Sequence, residues 1–435
     1  MVNILPFRGV RYDEATAGTA LENLVAPPYD VISPAEQDRL YARHPANVVR
    51  LILGRENDKY MQAANLFRDW LAAGTLKADD APAFYVYRQT FDDPATGQGF
   101  PERLGLVCLL KLEDYSTGKV LPHEKTLTGP KADRLELLRA TEAQFESIYG
   151  LFSDPDDSVR MFVQEYDDRE CVIERVDGIL GCTHKVERLT DPDGQAVLQE
   201  LMADKVVFIA DGHHRYETSL TYQREVRAAH PGETPLACDY ILITLTAFED
   251  EGLLVLPTHR LVKNVSPETL AALPSLLGQD FTLSPSTAET IEAEIAGHSA
   301  QGRTAFGVVL PPGSVQIAVL NTGPAAETSA ADRLPVSLLG TLILDKCLGI
   351  TPDKVAAGGV SYTRELSEAV KAVESGDASA AFLLGRPTVG DIKDVSLAGD
   401  VMPQKSTFFY PKLLSGLALR DLRLDQAMLD SGELS

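Results

Sequence analysis

The stretch Lys205–Tyr222, KVVFIADGHHRYETSLTY, constrains the chain most. Val206 to Ala210 is a short apolar run rich in β-branched residues, the composition of a buried strand. Asp211-Gly212 interrupts it, and Tyr216, Leu220 and Tyr222, with small Ser219 between them, indicate a helix leaving the turn. Asp211, Gly212, His213, His214 and Arg215 therefore stand where a strand end meets a helix N-terminus. Backbone N–H groups and the helix dipole favour an anion at such a point. Two imidazoles and a guanidinium add donors that suit phosphate oxygens. A purely local role, with Asp211 as N-cap and Gly212 in a tight turn, does not call for His-His-Arg in a row.

A chain of 435 residues exceeds one ordinary core, so two or three domains are expected. The expected division is a core over 1–262 that carries the turn, a C-terminal α/β domain over 263–400, and a tail over 401–435 that packs back on the core. Strand and helix patterns alternate irregularly, which gives an α+β fold with mixed sheets. Ser33-Pro34-Ala35-Glu36 is a helix start, with Ser at the N-cap and Pro at N1. Tyr60 to Ala73 is an amphipathic helix, and Asn47 to Gly54 reads as a strand because of Val48, Val49, Leu51 and Ile52. Leu338 to Leu348 reads as a helix closed by Gly349.

The formal net charge of −23 argues against nucleic acid and against anionic membrane as partners. Five widely spaced cysteines without a C-x-x-C, and an N-terminus without a charged region followed by an apolar run, point to reduced thiols in the cytoplasm. A small-molecule phosphorylated substrate is the expected partner, and a homodimer stands as the candidate assembly.

Two further stretches carry more polar chemistry than a connector needs. One is the loop and helix start at His123, Glu124, Lys131, Asp133 and Arg134. The other is the tail Met402–Lys412, MPQKSTFFYPK, with Lys405 and Lys412 flanking a hydroxyl pair and three aromatics. His259-Arg260 at a strand end is a weaker signal of the same kind. There is no G-x-x-x-x-G-K-[ST], no G-x-G-x-x-G after a strand, no G-x-S-x-G and no H-E-x-x-H. On an extended chain His213 and His214 point to opposite sides, which makes joint ligation of one metal awkward.

The A-D-G-H-H-R-Y-E-T segment resembles a widespread bacterial and archaeal family, domain of unknown function 1015. The likeness extends to A-P-P-Y-D-V-I at Ala26–Ile32, H-P-x-N-V-V-R-L at His44–Leu51, H-E-x-T-x-x-G-P-K-x-D-R at His123–Arg134 and the tail at Met402–Lys412. That family has no settled activity. A shorter resemblance links D-G-H-H-R to the phosphate-binding turn of the ParB/sulfiredoxin-like superfamily, which includes partition CTPases, sulfiredoxins and free serine kinases. It implies a nucleotide-binding core. No Cys stands near the turn, which disfavours sulfinic-acid repair, and the acidic surface speaks against DNA partition. The serine-kinase branch survives.

The expectation is thus a phosphotransferase or phosphatase acting on a small hydroxylated metabolite, serine or phosphoserine first, with a nucleotide (ATP or ADP) and Mg²⁺. Glu124 is the expected general base, with His123 and His213 beside it as catalytic groups. Asp211, Gly212, His214, Arg215, Lys131, Arg134, Lys405 and Lys412 are the expected phosphate ligands. Asp30 and Asp211 are the expected Mg²⁺ ligands. Two alternatives stay open: a non-catalytic nucleotide-binding regulator, and a metal-dependent hydrolase using His123, Glu124 and His213.

Overall fold

The computed structural model describes residues 1–124, 129–166, 168–233 and 235–434, and only the backbone of 129–131. The chain divides into two compact units. The first comprises Met1–Pro122, Thr126–Leu254 and Pro411–Ser435, and the second His123–Lys125 and Val255–Tyr410. Among the described residues no helix is long and apolar enough to cross a membrane.

The first unit is built on a mixed sheet with nine strands among the described residues. These are β1 (Ile4–Leu5), β2 (Phe84–Phe91), β3 (Arg103–Lys111), β4 (Val120–Pro122), β5 (Ile148–Phe152), β6 (Glu170–Ile179), β7 (Cys182–Leu189), β8 (Val207–Asp211) and β9 (Tyr240–Ala247). Their order is β4-β8-β5-β9-β3-β2-β7-β6, with β1 beside β3. β8 runs parallel to β4 and antiparallel to β5, and β9 runs parallel to β5. Alternate residues serve two cores: Tyr85 and Tyr87 face one, Phe84 and Val86 the other. Burial on both faces explains why β3 and β9 read as continuous apolar runs.

The segment expected as a strand at Asn47–Gly54 is instead a short helix, Val49–Ile52. Asn47 decides this. Its Oδ1 accepts from Val49 N at 2.9 Å while its Nδ2 donates to Asn23 O and Val25 O. A buried side chain with all of these partners fixes a turn that three β-branched neighbours would not choose alone.

The second unit holds a sheet with six strands among the described residues: β10 (His259–Val262), β11 (Phe281–Ser286), β12 (Ala305–Leu310), β13 (Ser314–Leu320), β14 (Val360–Thr363) and β15 (Ala380–Leu383). Their order is β11-β13-β12-β15-β10-β14. Phe306, Val308 and Phe382 point into one core, and Ala305, Val309 and Leu383 into another. The expected helix before Gly349 begins as Pro335–Leu338 and continues with π geometry over Leu339–Asp345. Both units mix helices with sheets, as an α+β fold requires.

Candidate functional site

β8 delivers four buried residues and then the half-buried Asp211 at its end. Gly212 follows at φ +90°, and a Cβ there would lie 2.7 Å from Ile148 Cγ2. Only glycine meets both demands. The helix His213–Ala229 starts at once, with Gly212 O accepting from Tyr216 N at 3.0 Å. His213, His214 and Arg215 thus form its first turn rather than an extended strand end, and successive side chains diverge by about 100°. Tyr216 and Leu220 bury into the core beneath, and the Tyr216 hydroxyl donates to Glu113 O at 2.8 Å. The helix is pinned one turn below the histidines.

Charges converge on this turn. Asp211 Oδ1 accepts from Gly212 N at 2.9 Å, and Oδ2 pairs with Lys412 Nζ at 2.9 Å. Burial pushes the Asp211 carboxyl up, but Lys412 and Arg215, with His213 adding to them, hold it well below the usual carboxylate range. Arg215 Nη1 donates to Ser147 O at 2.9 Å. Burial opposes the Arg215 charge, yet Glu146, Asp211, Asp30 and Tyr29 together raise its pKa.

Arg215 of this turn lines a cavity of about 60 Å³ together with Arg134, Glu146, Gln144, Thr218 and Ser219 and with apolar Ile52, Leu137, Leu138, Ala143, Phe145, Ile148 and Ile241. A water needs about 10–15 Å³ by the same measure, so the space suits several waters or one phosphoryl group. Glu146 Oε1 accepts from Tyr29 N at 2.9 Å and Ser415 Oγ at 3.0 Å. The Arg134 guanidinium stacks 4.2 Å from the Tyr29 ring centre and donates to Ile52 O at 2.7 Å. Asp30, next to Tyr29, is exposed. Of the two carboxylates expected to hold Mg²⁺, Asp211 has one oxygen on Gly212 N and the other on Lys412, while Asp30 stands at the surface of the same cluster.

Sequence reasoning passed over Glu146, Gln144, Ser147 and Tyr29. The missing signal is strand pairing: Asp211 lies opposite Tyr149 across β8 and β5, which brings Phe145-Glu146-Ser147 beside the turn. Lys131 lies outside the described side chains, and so do 125–128.

His123, Glu124 and Lys405 belong to the second unit. His123 is buried, and its Nε2 lies 2.8 Å from Thr407 Oγ1. The Glu124 carboxylate accepts from the backbone N–H groups of Lys405 (3.3 Å), Ser406 (3.1 Å) and Thr407 (3.2 Å) and from Thr407 Oγ1 (3.1 Å). The group expected as general base thus holds a loop. Among the described residues, no cluster of three or more His, Cys, Asp or Glu is arranged to hold a metal ion.

No curated protein matches the sequence. Several solved structures resemble the fold in part. A free serine kinase in complex with AMP aligns at 12% identity over 70% of this chain and 90% of that one, with a TM-score of 0.38. A conserved hypothetical protein from Pyrococcus furiosus aligns at 14% identity over 70% and 94%, with a TM-score of 0.36. SbnI with a C-terminal truncation, from Staphylococcus aureus, aligns at 11% over 75% and 94%, with a TM-score of 0.37. Likeness of this size decides neither topology nor chemistry. The family described as protein of unknown function (DUF1015) matches residues 4–338, most of the sequence, and this chain is a member of it.

Proposed function

We propose that the first unit is a phosphoryl-transfer enzyme acting on a small hydroxylated metabolite, with a nucleotide as donor or acceptor of the phosphoryl group. One observation carries this reading: a glycine turn at a helix N-terminus holds Lys412 through Asp211, and Arg215 of the same turn shares a cavity of about 60 Å³ with Arg134. Arg215, Lys412, His213, His214 and the amides after Gly212 bind phosphate oxygens, and Asp211 keeps Lys412 at the turn. In the kinase direction the acceptor hydroxyl oxygen attacks the terminal phosphorus, the bond to the leaving phosphate oxygen breaks, and the hydroxyl proton passes to a carboxylate.

The proton is assigned to Glu146, which lines the cavity with Arg215, rather than to Glu124, whose oxygens are engaged by three amides. His123 and Lys405, held with Glu124, take no step in this scheme. Mg²⁺ carried on the nucleotide phosphates would be met by Asp30, since such an ion needs only one or two protein carboxylates. Serine or phosphoserine is the first substrate to try, on the likeness of D-G-H-H-R to the turn of free serine kinases. Incubation with serine, Mg²⁺ and ATP or ADP labelled on the terminal phosphate should yield phosphoserine, and Arg215→Ala should abolish it. Absence of phosphoryl exchange with any hydroxylated amino acid or sugar, alongside tight nucleotide binding, would replace this reading with that of a regulator.

A further inference from the structure

The loop that holds Glu124 is built as an oxyanion site. Lys405 adopts φ +56°, a left-handed conformation that is unfavourable for a non-glycine residue. That kink turns three successive N–H groups, those of Lys405, Ser406 and Thr407, toward one point, the arrangement known to bind anions. The carbonyl side is fixed independently. Buried Arg260 donates from Nη2 to Lys405 O at 3.0 Å and from Nη1 to Thr258 O at 2.6 Å. Lys405 C=O and Ser406 N–H share one planar trans peptide, so anchoring the carbonyl aims the amide the other way.

Glu124 occupies this cradle through long bonds. Its Oε1 accepts from Ser406 N, Thr407 N and Thr407 Oγ1, and its Oε2 accepts from Lys405 N at 3.3 Å. Charge-assisted N–H···O⁻ bonds usually run about 2.7–2.9 Å, and all of these are longer. A tetrahedral oxyanion has a separate oxygen for each donor. His123 Nε2, 2.8 Å from Thr407 Oγ1 and 3.6 Å from Glu124 Oε1, adds a further polar group at the same point. Ser406 and Met402 of this loop also line a cavity of about 330 Å³ with Thr258, Thr304, Arg303 and Arg386. That volume is at the lower end for small-metabolite pockets.

We propose that the second unit carries its own phosphate site, separate from the glycine turn: the Lys405–Thr407 amides exchange the tethered Glu124 carboxylate for the phosphate of a small phosphorylated metabolite. Glu124 is then a built-in competitor, which raises the ligand concentration needed to fill the site.

The test is phosphate affinity with and without the tethered carboxylate. Inorganic phosphate is titrated into Arg215→Ala protein, which disables the turn, and into the same protein carrying Glu124→Ala, at matched ionic strength. Removal of Glu124 should tighten phosphate binding at least tenfold, and adding Thr407→Val should reverse most of that gain. Equal affinity with and without Glu124, or no binding in the Glu124→Ala protein, would overturn the proposal. Should Glu124→Ala fail to fold, Glu124→Gln keeps the side-chain shape while removing the charge and serves the same comparison. Glycerol phosphate in place of inorganic phosphate separates a metabolite site from one for the free ion: only the former binds the ester more tightly.

Discussion

The two units solve one problem with different materials. At the glycine turn a carboxylate, Asp211, is held by side-chain cations, Lys412 and Arg215. At the loop of the second unit a carboxylate, Glu124, is held by backbone amides. Side-chain cations can swing to an incoming phosphate and keep their charge, whereas amides are fixed by the fold and bind whatever anion reaches them. The first arrangement suits changing charge during a reaction. The second suits equilibrium binding.

The largest expected effect falls on the turn. Gly212→Ala puts a Cβ against Ile148 Cγ2 and a side chain at φ +90°, so a loss of about 2–4 kcal/mol is expected in urea denaturation, with loss of any nucleotide-induced rise in melting temperature. A tolerated alanine would mean that the turn is not the rigid element described. Lys412→Met comes next: it leaves Asp211 without its closest cation and should destabilise by about 2 kcal/mol, less than for a fully buried pair because both partners keep some exposure. A double-mutant cycle with Asp211→Asn measures the pair, and a coupling near zero would mean that Lys412 does not hold Asp211 at the turn.

Glu124→Gln should cost about 1–2 kcal/mol, since its donors lose a charged acceptor and meet an amide NH₂ instead. Added phosphate should restore part of the melting temperature in that variant, while an equal concentration of chloride should not. The smallest effect concerns pH. Asp211 has a folded pKa below its unfolded value of about 3.9, so its contribution is complete above that value and is lost as pH falls through the folded one. Asp211→Asn should therefore flatten the acid limb of stability below about pH 4, as followed by circular dichroism. An unchanged acid limb would show that Lys412 and Arg215 do not hold the carboxyl as described.

Much of the turn was legible because its determinants are local. A β-branched run, Asp-Gly, and a helical spacing of Tyr216 and Leu220 specify strand, left-handed turn and helix without reference to anything distant. Asn47 shows the opposite case. Val48, Val49 and Ile52 favour a strand, and only Asn23 and Val25, brought in by the fold, give the Asn47 amide the partners that close a helix. Glu146 was illegible for the same reason, since its place beside Arg215 depends on the pairing of β5 with β8.

The chemical inventory and the strand–Gly–helix turn were determined by the sequence alone, because φ/ψ preferences and hydrophobic period act over a few residues. Tertiary structure alone decided who stands next to whom. The two motif stretches His123–Arg134 and Met402–Lys412 each divide between the units: His123 and Glu124 go with Lys405 and Thr407, while Arg134 and Lys412 go with the turn. Contiguity in a motif could not reveal that split. Long-range packing sets it, through side-chain and strand contacts between residues hundreds of positions apart that no local preference encodes.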